Sequence, residues 1–192
     1  MIEAELKARV RVPETMLRAL EERATGRPEV YHDTYYDDLS GSLGASDREL
    51  RVRTVHGAHE THSLLTFKGP KVDEASGSKP EHETRVRDVE AVHAMLRGLG
   101  YAPAIAFQKR CRNYEFDALG RRMLATLVRV PEIGGTFIEV ETLVAHEGDV
   151  QAALVAVRGV LRELGVADGD LTTELYTDAV RSARGRGSPP KS

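Results

Sequence analysis

Four glutamates pose the first chemical question. Glu3 and Glu5 stand two residues apart near the N-terminus, and Glu139 and Glu141 repeat that spacing far down the chain. Side chains alternate along an extended strand, so each pair projects from one face. Like charges held side by side repel, and such a carboxylate cluster needs a cation to hold it together. Glu81 and Glu83 form another acidic pair between them. Basic residues recur on most of the other segments: Lys7 and Arg9, Arg51 and Arg53, Lys68, Lys79, Arg85 and Arg87, then Lys109, Arg110 and Arg112. Several fixed cations suit the several oxygens of a polyphosphate. An antiparallel sheet with one solvated face shows the same alternation. So does a barrel whose charged faces point inward while its apolar faces meet helices outside. The alternation leaves both readings open.

The elements that must position these residues follow from periodicity. Residues 2–12 alternate cleanly, with Ile2, Ala4, Leu6, Ala8, Val10 and Val12 on one side and the charges on the other, which predicts a strand. Pro13 suits the first turn of a helix carrying Met16, Leu17, Leu20 and Ala24, ended by Gly26 and Pro28. Further strands are predicted over 30–37, 48–56, 62–69 and 79–87, with loops over 41–46 and 70–78. Asp88 can cap a helix bearing Val89, Val92, Met95, Leu96 and Leu99, stopped by Gly100. Strands over 105–116, 122–130 and 136–144 precede a long amphipathic helix over 148–164 and a short helix over 172–183. Residues 184–192 read as a disordered tail. With no internal repeat or linker, residues 1–183 are expected to form one domain. Eight strands with short connections suggest an α+β, mainly β fold: an antiparallel sheet closed as an eight-stranded barrel, with helices packed outside.

Composition bounds the function classes. The chain has 192 residues, enough for one domain with a sizeable core, and its 41% hydrophobic and 30% charged residues fit a globular protein. A net charge of −3 gives no reason to expect nucleic-acid affinity. Cys111 is the one cysteine, so no intrachain disulfide forms, and a reducing, cytoplasmic setting is expected. The N-terminus runs straight into patterned sequence, which predicts no signal peptide. No stretch approaches the ~18 uninterrupted apolar residues of a membrane span.

A set of motifs then carries a resemblance. Glu3-Ala4-Glu5-Leu6-Lys7 is an ExExK signature, and its position near the start of the chain matters. Asp33-Thr34-Tyr35-Tyr36-Asp37, Glu49-Leu50-Arg51-Val52-Arg53, Leu65-Thr66-Phe67-Lys68-Gly69-Pro70, Lys79-Pro80-Glu81-His82-Glu83 and Gly135-Thr136-Phe137-Ile138-Glu139-Val140-Glu141 follow in order. Together they resemble the CYTH superfamily, the triphosphate tunnel metalloenzymes, and look most like its bacterial class IV adenylyl cyclases. The resemblance implies an eight-stranded antiparallel tunnel that binds a triphosphate with Mg²⁺ or Mn²⁺. By position it implies Glu3, Glu5, Glu139 and Glu141 as metal ligands, with Glu81 and Glu83 as further candidates. It implies Lys7, Arg9, Arg51, Arg53, Lys68, Arg85, Lys109 and Arg112 as the phosphate grip, with Lys7 and Glu5 at the chemistry. Hard divalent cations prefer carboxylate oxygens, and fixed cations stabilise charge on a transferring phosphoryl group.

Two positions depart from the pattern. The strand before the closing motif often carries an Asp, whereas residues 124–130 hold no carboxylate, place Arg129 near that position, and leave Glu132 beyond a proline. In Lys109-Arg110-Cys111-Arg112 a cysteine stands where an arginine is common. Cys111 reads as an inert small residue, since no nearby motif supplies a base. His56, His59 and His62 read as a solvated hairpin connection, His82 as outward-facing, and Tyr31, Tyr35 and Tyr36 as packing at a barrel rim. Three functions follow in order: an adenylyl cyclase producing cyclic AMP and pyrophosphate, a hydrolase of inorganic or organic triphosphate such as thiamine triphosphate, and a non-catalytic phosphate-ligand binder. A small-molecule triphosphate is thus the expected partner, and a barrel with external helices is compatible with a homodimer.

Overall fold

A computed structural model describes residues 1–74 and 76–187. Its strands are β1 (Ile2–Arg9), β2 (Arg27–Asp37), β3 (Glu49–His56), β4 (Thr61–Lys68), β5 (Lys79–Val86), β6 (Ala102–Ala118), β7 (Arg121–Arg129) and β8 (Phe137–Val144). The helices are α1 (Pro13–Glu21), the short α2 (Ser42–Ala45), α3 (Val89–Gly98), α4 (Val150–Glu163) and α5 (Tyr176–Gly187). The eight strands close into a ring with every pair antiparallel, as expected; the order, β1-β5-β4-β3-β2-β6-β7-β8, sets β1 beside β5 and β2 beside β6, neighbours that the strand spacing does not predict. The join between β5 and β1 is short, pairing Ile2 with Pro80 and Glu3 with Lys79.

The hydrophobic core lies outside this ring. Ala4, Leu6 and Ala8 of β1 and Ile138, Val140 and Val144 of β8 turn outward and pack under α4, through Ala153, Val157, Val160 and Leu161. Met16 and Leu20 of α1 extend the same cluster. Each large apolar side chain so buried contributes about 1.5–3 kcal/mol. Tyr36, Val52 and Leu96 form a second layer beneath α3. Because helices take the apolar faces, the alternate residues of every strand are left to line the interior. This decides between the two readings of the alternation: the charged faces point inward. A smaller apolar cluster sits at one end of the ring, where Tyr176 and Val180 of α5 meet Phe107, Val128 and Phe137.

Local signals hold at several element ends. Pro13 opens α1, and the Asp88 carboxylate accepts a hydrogen bond from the Ala91 N–H at 2.9 Å to cap α3. β6 runs longer at both ends than the strand expected over 105–116, because Leu119 and Gly120, with φ of 51° and 73°, turn it directly into β7. The last helix starts later than expected. Leu171 bridges to Ala8 and the Thr172 N–H donates to the Lys7 carbonyl at 2.9 Å, which holds 171–172 extended against β1. That helix also continues past the expected boundary, so Arg184 to Gly187 are helical rather than a disordered tail. The Arg184 guanidinium donates to Glu132 at 2.7 and 2.9 Å and to the Ala106 carbonyl at 2.7 Å, which ties the helix end down. The remainder of the expected tail, 188–192, lies outside the described residues. Among the described residues no helix is long and apolar enough to cross a membrane.

Candidate functional site

The ring encloses a cavity of about 660 Å³. One wall is acidic. In the register of β1 against β8, Glu5 lies opposite Glu141 and Lys7 opposite Glu139. Glu3, Glu5 and Glu141 each bring a carboxylate oxygen within 4.8 Å of the others. Hard divalent cations are bound by such oxygens, so this set fits Mg²⁺ or Mn²⁺. Burial pushes the Glu5 carboxyl up to about 8, helped by Glu139 and Glu3 and opposed by Lys68 and Lys7. Burial and the neighbouring Glu3 and Glu5 raise Glu141 well above the usual carboxylate range. Burial acts upward on Glu3 as well, but Lys68 and hydrogen bonds within the cluster outweigh it and hold Glu3 low. The cluster therefore keeps proton density near neutral pH, which a bound cation would displace.

Lys68 on β4 joins this wall to the next. Its ammonium donates to Glu3 and pairs with Glu81 at 2.8 Å. On the facing wall Arg51 donates to the Thr66 hydroxyl at 3.2 Å and lies 3.7 Å from Glu83. Arg53 makes a two-point contact with Asp33 at 2.6 and 2.8 Å. Lys109 lies 3.9 Å from the same carboxylate. Lys7 and Lys109 both set their ammonium groups over the Tyr176 ring, 4.5 and 4.4 Å from its centre. Lys7 also donates to the Glu174 carbonyl. The segment 172–177 thus lines one end of the cavity. The arrangement faces a carboxylate cluster with a set of buried cations across a polar channel, which is what a metal-bound polyanion requires.

Most of the residues singled out in the sequence meet here. Glu3, Glu5, Lys7, Arg51, Arg53, Lys68, Glu81, Glu83, Lys109, Glu139 and Glu141 all line the cavity. Three do not. Arg9 shares the face of Lys7 but lies beyond the rim, where it pairs with Glu174 at 2.8 Å. Arg85 is likewise past the rim, 63% exposed and paired with Glu60 at 3.1 Å. Arg112 has the opposite strand parity: Lys109, Cys111 and Asn113 face in, while Arg112 faces out to Glu21 of α1 at 3.0 Å. Burial pushes the inward Cys111 thiol up to about 12, which keeps it inert. On β7 the inward positions are Leu124 and Thr126, and Arg129 is exposed. Tyr31, Tyr35 and His62 line the cavity, where rim packing and a solvated loop were expected, because β2 and β4 carry them on the inward face. Sequence reasoning missed Asp33, Glu49, Asn113 and Tyr176. The inward parity of Asp33, Glu49 and Asn113 was readable, but their partners lie on other strands, and Tyr176 comes in from α5.

The CYTH domain matches residues 1–176. The chain belongs to the CYTH family. Among CYTH relatives, a Methanocaldococcus jannaschii protein named provisionally as an adenylate cyclase is 21% identical over 180 residues, covering 93% of this chain and 98% of that one. The solved structure of a Pyrococcus horikoshii protein has 27% identity and a TM-score of 0.80, covering 94% and 98% of the two chains. A protein from Hippeastrum shares the fold at a TM-score of 0.64 and 19% identity, covering 95% and 96% of the two chains; it is described provisionally as an adenylyl cyclase that has a dominant triphosphatase activity. The CYTH tunnel here is thus complete in its strand order, with Thr126 and Leu124 where an inward Asp was expected on β7.

Proposed function

We propose that this CYTH protein is a divalent-metal-dependent enzyme that acts on a triphosphate bound inside the ring, first as a class IV adenylyl cyclase-like enzyme. The observation that carries this is the pairing of Glu3, Glu5 and Glu141, within 4.8 Å of one another, with buried Arg51, Arg53 and Lys109 across the same cavity. Glu3, Glu5 and Glu141 would hold Mg²⁺ or Mn²⁺, with Glu139, Glu81 and Glu83 close by. When bound, the ion supplies positive charge to a phosphate chain and to its attacking oxygen. Arg51, Arg53, Lys68 and Lys109 then orient the phosphates and stabilise charge that grows on them. Lys7, which lines the same cavity, would serve the leaving oxygens. Glu5 would give up its proton to the solvent on holding the ion and would act at the reacting oxygen as a carboxylate. In the cyclase reaction the ribose 3′-hydroxyl would attack the α-phosphorus, its proton would pass to water in the cavity, and the bond to pyrophosphate would break. In the hydrolase reading water attacks the terminal phosphorus instead. The triphosphatase activity ascribed to the Hippeastrum protein supports that second reading.

Incubating the protein with ATP, and separately with tripolyphosphate, in Mg²⁺ or Mn²⁺ from neutral to alkaline pH distinguishes them. Cyclic AMP with equimolar pyrophosphate establishes the cyclase. Orthophosphate without cyclic AMP establishes the hydrolase. Tight binding with no product under any metal favours a binder.

A further inference from the structure

Asp33 is the inward carboxylate that stands apart from the acidic cluster. It sits on β2 between Tyr31 and Tyr35, in register with Arg53 on one side and Phe107 on the other. Its side chain has no exposure at all. Both its oxygens are taken: one accepts from Arg53 Nε at 2.6 Å and the other from Nη2 at 2.8 Å. A fully enclosed carboxylate so engaged has no open oxygen to offer a cation. Burial works against its charge, but Arg53, then Arg51 and Lys109, hold the Asp33 carboxyl well below the usual range. It stays ionised among cations that face the cavity.

The consequence falls on Arg53. A guanidinium presents a planar fork of donors, and Asp33 occupies the edge formed by Nε and Nη2. The Tyr31 ring lies against the same group, 4.4 Å from its central carbon, which fixes the plane. What remains for a ligand is the Nη1–Nη2 end of the group, with three free N–H donors. The same carboxylate lies 3.9 Å from Lys109, so it offsets the field of both cations at once.

We propose that Asp33 is a positioning residue: it presents Arg53 to a bound phosphate through the Nη1–Nη2 end of the guanidinium, and its charge keeps the Arg53–Lys109 grip loose enough for turnover. This rests on the triphosphate reading above. It assigns Asp33 two effects with opposite signs, which a purely structural ion pair does not have. Without the carboxylate, Arg53 is free to turn its full fork to the anion and both cations act uncompensated. Binding should tighten while the productive geometry is lost.

The test measures Mg²⁺–tripolyphosphate binding by calorimetry, and kcat and KM on whichever triphosphate is turned over, for wild type, Asp33→Asn, Arg53→Met and the double variant. Asp33→Asn should bind tripolyphosphate about tenfold more tightly, the effect of one nearby unit charge at intermediate dielectric. Its kcat should fall about tenfold, with KM falling as well. In the Arg53→Met background the Asp33→Asn change should leave kcat unchanged, because the guanidinium it positions is gone, and should keep only the smaller part of the tightening that acts through Lys109. If Asp33→Asn alone fails to fold, the comparison of Arg53→Met with the double variant decides, since removing both members leaves no buried unpaired charge. Equal kcat in those two, with the double variant binding less than tenfold more tightly than Arg53→Met, supports the assignment. An equal effect of Asp33→Asn with and without Arg53, weaker binding, or wild-type behaviour in the single variant overturns it while leaving the triphosphate reading intact. A wild-type protein that binds neither tripolyphosphate nor ATP overturns that reading and this inference with it.

Discussion

Replacing Glu5 with Gln should flatten the pH dependence of stability. Burial beside Glu139 and Glu3 raises this carboxyl from 4.5 to about 8. Between those values the folded protein holds a proton that the unfolded chain has released. Stability contributed by the protonated group is therefore lost as pH rises through that window. From pH 6 to pH 8 the full shift corresponds to about 2 kcal/mol. Glu5 faces a cavity that admits water, so about half of that is the working figure, or about 1 kcal/mol. For a domain of this size about 1 kcal/mol moves the melting temperature by about 2–4 °C. Glu141 is raised as well, by burial and by Glu3 and Glu5, so the variant keeps part of the slope. Thermal unfolding in EDTA at both pH values is the assay. Wild type should lose about 2–4 °C more than Glu5→Gln on going to pH 8. Adding Mg²⁺ or Mn²⁺ at pH 8 should recover the wild type far more than the variant, because the cation takes the proton's place. Equal slopes in the two proteins would refute the idea that Glu5 carries the cluster's proton.

Other outcomes follow from where side chains point. Arg51→Met, which removes a buried cation facing the cavity, should raise the KM for triphosphate at least tenfold, since hydrogen bonds to charged groups contribute about 1.5–3 kcal/mol. Arg112→Ala should leave kcat and KM within about twofold and cost at most ~1 kcal/mol in denaturant melts, because its partner Glu21 lies outside the ring. Gly26→Ala should lower stability by about 1–3 kcal/mol in the same melts. Its added methyl would lie 2.7 Å from the fully buried Tyr114 ring and 2.6 Å from Arg112 Nε.

The end strands and their acidic faces were legible for one reason: β1 and β8 alternate without interruption, so Glu3 shares a face with Glu5, and Glu139 with Glu141. Which face looked inward was not legible, because that depends on α4 covering Ala4, Leu6, Ile138 and Val140 from outside. β6 misled for a physical reason. Arg110 and Arg112 share the parity of Tyr114 and Phe116, which pack into the core outside the ring, so they face out while Lys109, Cys111 and Asn113 face in. Asp33 was hidden differently. Nothing near it in the chain explains a carboxylate between tyrosines, and its partner Arg53 reaches it only through the register of β2 with β3. Tyr176 lay beyond local reading too, since α5 returns to Lys7 and Lys109 across most of the chain.

The central claim is that metal and triphosphate meet inside the ring. Calorimetric titration of tripolyphosphate into the protein, with Mg²⁺ and then with EDTA, tests it most directly when repeated on Glu141→Ala. The account predicts binding that needs the cation and is lost in Glu141→Ala, with the variant still melting cooperatively. Binding of equal strength in EDTA, or in Glu141→Ala with Mg²⁺ present, would contradict it.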